Sequence, residues 1–185
     1  MSNLNLLING KTKITLTQNE YKAQGGQGTV YVKGNLAYKV YHDPTRMIPE
    51  MKVRELAAIG LPGVLAPQDA LMDTKGTIVG FTMPYVKDTE YLTKMFSRSF
   101  KDANNIGADK IVHLVTEMQK TLSALHTKKI IVGDYNEMNF LVDSNFAIPY
   151  HIDVDSYQTP NFPCTAIMDT VRDRRLPFGK FGLLS

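Results

Sequence analysis

The stretch Val132-Gly133-Asp134-Tyr135-Asn136-Glu137-Met138-Asn139-Phe140-Leu141-Val142 is the most informative part of the chain. Asp134 and Asn139 bracket a polar loop that leads into an apolar, strand-like run from Phe140 to Val142. Asp153 stands fourteen residues beyond Asn139, after a second short run, Pro149–Ile152. A carboxylate can take a proton from a hydroxyl, and an amide oxygen with a carboxylate offers hard donors for Mg²⁺ beside phosphates. Each of these residues is also a common turn former, so any one of them is equally at home in a loop.

Upstream, Ala108–His126 is the clearest helix in the sequence. Ile111, Leu114, Val115, Met118, Leu122 and Leu125 recur at steps of three and four and share a face. Lys129–Val132 reads as a short strand after it. Residues 1–87 have a different texture. Asn9-Gly10 divides Leu6–Ile8 from Lys13–Leu16 as a hairpin turn does. Glu20–Ala23 leads to Gly25-Gly26-Gln27-Gly28, then to strands Thr29–Lys33 and Leu36–Tyr41 around Gly34-Asn35. Pro44 and Pro49 precede a helix over Glu50–Ile59, closed by Gly60 and Pro62. Gln68–Met72 and Thr77–Met83 form one more hairpin. The tail from Thr159 to Ser185 is weakly periodic and reads as loop with one short helix.

The glycine run lies between two strands, which excludes a dinucleotide-binding fingerprint, and it lacks the Gly-Lys-Ser/Thr ending of a P-loop. A glycine hairpin still lets backbone N–H groups approach phosphate oxygens, or serves as a plain tight turn. Lys39 falls within the apolar and aromatic strand Leu36–Tyr41. It either points to solvent or is held inward by an anion, with Glu50 or Glu55 of the next helix as candidate partners.

Composition narrows the classes. The chain has 185 residues, 43% of them hydrophobic and 21% charged, as globular proteins do. Its net charge of +3 and lack of tryptophan give no footprint for nucleic acid. No apolar stretch is long enough for a membrane span, and the start carries no secretory pattern. The one cysteine, Cys164, excludes an internal disulfide and a multi-cysteine metal site, and fits a reducing, cytoplasmic setting. His42, His113, His126 and His151 show no metal-binding spacing. Arg172, Arg174 and Arg175 form a small basic cluster that reads as a solvated face.

In order along Tyr21–Gln158, the glycine hairpin, strand lysine, acidic helix, long helix, Asp-x-x-x-x-Asn loop and terminal aspartate resemble the protein-kinase-like superfamily. More narrowly, the Gly133–Asn139 loop and Asp153-Val154-Asp155-Ser156-Tyr157-Gln158 are similar to a bacterial and phage branch of it. The resemblance implies an α+β, two-lobed fold: a β-rich N-lobe with one helix (1–87) and a truncated, mostly helical C-lobe (88–185). It implies that Gly25, Gly26, Gly28 and Val30 cover ATP, with Met83 and Tyr85 at the adenine edge. Lys39 would hold the phosphates, paired with Glu50 or, alternatively, Glu55. Asp134 would be the catalytic aspartate, and Asn139 and Asp153 would bind Mg²⁺. The chain departs from the pattern where Gly133 replaces the arginine before the aspartate and Asp155 replaces the D-F-G glycine.

The function so implied is an ATP-dependent phosphotransferase, a serine/threonine protein kinase-like domain with nucleotide and protein partners. The alternative is a nucleotide-binding pseudokinase that works as an interaction module, and a third reading is a small-molecule phosphotransferase.

Overall fold

A computed structural model describes residues 3–164 and 167–169 of the chain. The chain divides into two compact units, one of Met1–Ala58 with Ala66–Val86, the other of Ile59–Leu65 with Lys87–Ser185.

The first unit is built on one antiparallel sheet of seven strands. These are β1 (Leu4–Ile8), β2 (Thr12–Leu16), β3 (Tyr21–Gln24), β4 (Gly28–Lys33), β5 (Leu36–Tyr41), β6 (Ala70–Met72) and β7 (Ile78–Pro84). Their spatial order is β2-β1-β6-β7-β5-β4-β3. The Asn9-Gly10 turn sets the first hairpin, both residues taking positive φ (48° and 69°). Asn9 also ties β1 to the approach to β6: its side-chain oxygen accepts from the Ala70 N–H at 3.0 Å, and its amide donates to Asp69 at 2.7 Å. Period-two alternation splits β5 between two cores. Tyr38, with Leu36 and Val40 beside it, joins Leu6, Leu16, Leu71 and Val79. Tyr41 packs with Phe81 and with Val53 of helix α1 (Glu50–Ala57). Lys39 lies between Tyr38 and Tyr41 and is itself buried.

The second unit holds a three-stranded antiparallel sheet in the order β10-β9-β8, from β8 (Thr89–Tyr91), β9 (Phe140–Asp143) and β10 (Pro149–His151). Helix α2 (Arg98–Ala103) is short, and α3 (Ala108–Thr127) is the long helix expected. Leu114 of α3 packs with Met95, Ile106, Val142 and Phe146. The segment Ile59–Leu65 is stitched onto β10: the His151 N–H donates to the Gly63 carbonyl at 2.7 Å, and the Leu65 N–H to the His151 carbonyl at 3.0 Å.

This architecture corrects the expected fold class. A single continuous sheet of seven strands and a separate three-stranded sheet, with three α-helices among the described residues, is not the bilobal kinase fold. Residues 88–164 are not mostly helical, because β8, β9 and β10 bury Phe140, Val142 and His151 as a sheet. The expected strand over Lys129–Val132 reduces to one bridge, Ile131 to Gln158, after Lys129 takes a positive φ of 60°. The short helix expected in the tail and the Arg172, Arg174, Arg175 cluster lie outside the described residues.

Candidate ligand-binding site

Lys39 is the most constrained of the residues singled out in the first unit. It sits on β5 opposite Val30 of β4 and Phe81 of β7, with only 8% of its surface exposed. Its ammonium stands 5.4 Å from the centre of the Tyr41 ring and 5.7 Å from that of Phe81. Both distances are within the range at which a ring face attracts a cation. The two rings meet edge to face. Tyr41 was legible as a neighbour, two residues on and therefore on the same face of the strand. Phe81 was not, because it arrives through the pairing of β5 with β7.

The glycine hairpin flanks that strand. Gly28 pairs with Tyr41, and a Cβ there would lie 2.5 Å from the Val40 carbonyl oxygen, so only glycine fits. The turn is closed by a hydrogen bond from the Gly25 N–H to the Gly28 carbonyl, at 2.9 Å. Gly26 has open space around it. Glu50, the first choice as partner for Lys39, is ion-paired with Arg54 one turn along α1. Glu55 lies on the same helix, half-buried. Met83 is half-buried beside the Tyr41–Val53–Phe81 cluster. The Tyr85 N–H donates to the Asn35 carbonyl at 2.9 Å, and the Lys22 ammonium lies 5.7 Å from the Tyr85 ring centre.

In the second unit, Asp134, Asn136 and Asn139 form one hydrogen-bonded loop. The Asn136 amide donates to one Asp134 carboxylate oxygen at 2.8 Å, and the Asn139 amide to the other at 2.9 Å. Asn139 also reaches the Asp134 carbonyl at 2.9 Å. Asn136 is the third member of the loop; its side-chain oxygen accepts from the Met138 N–H at 2.9 Å and starts the 3₁₀ turn Glu137–Asn139. Asp153 adopts the left-handed conformation, φ 56° and ψ 35°. The Ile152 N–H donates to the Asn139 carbonyl at 3.0 Å, so Asn139 and Asp153 flank the same end of the β9–β10 ladder.

Behind the loop is an aromatic cluster. The His151 ring is fully buried, 4.6 Å from the Phe140 ring centre, with Nδ1 2.9 Å from the Tyr157 hydroxyl. Its Nε2 has no hydrogen-bond partner. Burial pushes the imidazole down to about 4 and pushes the Tyr157 and Tyr135 phenols up.

These observations correct the functional expectation. The fold is not that of a kinase-like phosphotransferase, and the segment likened to a catalytic loop is a turn whose aspartate is engaged by its own neighbouring amides. Among the described residues, no group of three or more His, Cys, Asp or Glu side chains could hold a metal ion. The reading as an ATP-dependent serine/threonine protein kinase therefore does not stand. The pseudokinase alternative and the small-molecule phosphotransferase rested on the same fold and go with it. No protein-family model matches the chain, and no curated protein is similar to it. Among the described residues, no helix is long and apolar enough to cross a membrane.

Proposed function

We propose that the chain is a binding protein for a small phosphate-bearing ligand, anchored at Lys39. The burial of the Lys39 ammonium against the Tyr41 and Phe81 rings carries the reading. An ammonium has three N–H donors, so a protein partner and a phosphate oxygen can be held together. The neighbouring hairpin supports the same reading, since Gly25 and Gly26 leave the backbone approachable from outside. Val30 lies directly opposite Lys39.

ATP with Mg²⁺ is the first ligand to test. A cytoplasmic setting belongs to the same proposal, supported by the single cysteine.

Calorimetric titration decides the matter, with ATP, Mg-ATP and pyrophosphate as ligands and adenosine as the control. The phosphate-bearing ligands should bind and adenosine should not, and Lys39→Met should weaken binding at least about tenfold, the loss of one charge-assisted contact. Absence of binding by every phosphate compound, or unchanged affinity in Lys39→Met, rules the proposal out.

A further inference from the structure

Asn9 and Gly10 form the only Asn-Gly pair in the sequence. The hairpin turn asks for such a pair, since both residues take a positive φ, 48° and 69°. The same pair is chemically labile. A glycine nitrogen meets no side chain of its own residue as it approaches the carbonyl carbon of the preceding asparagine side chain. Asn9 is exposed, so water reaches the turn.

Asn9 is also the clasp that holds the β1–β2 hairpin on the sheet. The pairing of β1 with β6 extends over Leu7 with Met72 and Ile8 with Leu71. Just beyond it, Asn9 adds three hydrogen bonds: its N–H donates to the Ala70 carbonyl at 2.8 Å, its side-chain oxygen accepts from the Ala70 N–H at 3.0 Å, and its amide donates to Asp69 at 2.7 Å. The other Asp69 oxygen faces the Thr82 hydroxyl at 3.4 Å. The oxygen turned toward Asn9 therefore needs a donor. A carboxylate in place of the Asn9 amide would set two anions against each other.

We infer that Asn9 is a deamidation site whose conversion unclasps the hairpin from β6. The Gly10 nitrogen gives up its proton and bonds to the Asn9 side-chain carbon. The amide leaves as ammonia and a cyclic imide remains. Water then opens the imide at either carbonyl, to aspartate or isoaspartate. While the clasp is closed, both polar atoms of the Asn9 side chain are bonded to Asp69 and Ala70, so the reaction waits on local opening of the turn. Lifting of the hairpin would uncover Leu71, which packs with Leu6 and Leu16, and would free an edge of β6. The inference is independent of the reading at Lys39.

The full chain, incubated at mildly alkaline pH, is mapped by mass spectrometry beside a synthetic peptide of residues 4–16. Conversion at Asn9 should be at least about tenfold slower in the folded chain, and a low concentration of urea should narrow the difference. Amide exchange over the hairpin should be at least about tenfold faster in the converted chain than in the fresh one. Asn9→Asp should reproduce that faster exchange. Adding Asp69→Asn, which restores a donor opposite an acceptor, should return it toward the original rate. A folded chain that never converts, or converts as fast as the peptide, overturns the inference. So does a converted chain with unchanged exchange, or a double variant that exchanges as fast as Asn9→Asp alone. The aged chain carries the test even where Asn9→Asp fails to fold.

Discussion

The side chain of Asn139 holds Asp134 at two points, donating to a carboxylate oxygen and to the main-chain carbonyl, each at 2.9 Å. Asn136 takes the remaining carboxylate oxygen. The loop is therefore locked by side chains before any ligand arrives. Asn139→Ala should cost about 1–2 kcal/mol, the loss of hydrogen bonds to a charged group in a half-buried place. Urea denaturation checks it: the midpoint should fall with the slope unchanged. Asn139→Asp should cost more, because it brings a second carboxylate against the first.

Stability should depend on pH through His151. Its folded-state pKa is lowered to about 4, from 6.5, by burial among Phe140 and Tyr157. The unfolded chain thus takes up a proton before the folded one does. The contribution of the neutral ring is complete above about pH 6.5, declines as pH falls, and is gone below about pH 4. The full swing is ~3 kcal/mol. Denaturation midpoints measured between pH 4 and 7 should show this slope, and His151→Leu should flatten it. An equal slope in the variant would assign the dependence to other groups.

Gly80 and Gly28 bracket β5 from its two neighbouring strands. A Cβ on Gly80 would run into the Lys39 carbonyl oxygen, and one on Gly28 into that of Val40. Neither neighbour is a flexible side chain. Gly80→Ala and Gly28→Ala should each cost roughly 1–3 kcal/mol, the range for forced overpacking, and each should disturb the position of Lys39. Gly26→Ala, where space is open, should leave the melting temperature within about a degree. Thermal denaturation of the three variants tests the contrast.

Local signals carried much of the secondary structure. Asn9-Gly10 fixed a hairpin, Gly34-Asn35 another, and the stripe Leu114, Met118, Leu125 marked the long helix within a residue of its observed end. The short elements were not legible. β8 has three residues and becomes a strand only because Glu90 finds Val142. Arg98–Ala103 is too brief to show a period. The deeper failure was topological. A correct order of strands and helices does not say which strands pair. The contact of β1 with β6, Leu7 to Met72, joins residues far apart in sequence and makes one continuous seven-stranded sheet. At the site, the single letters of Asp134 and Asn139 were read as chemistry, whereas their spacing equally suits a self-bonded turn. Phe81 beside Lys39 and Phe140 beside His151 arrive from other strands, which no local pattern announces.

The tie between Gly63 and His151 has a consequence for dissecting the molecule. Ile59–Leu65 belongs with residues after Lys87 although its flanks belong with those before it. The polypeptide thus passes from one body to the other at three places, and neither body is a contiguous stretch. A truncation after Val86 would strand this seven-residue excursion without its mate on β10. Expression of either half alone should therefore yield an incomplete body, and a linear domain swap at that point would fail unless the excursion were transplanted with it.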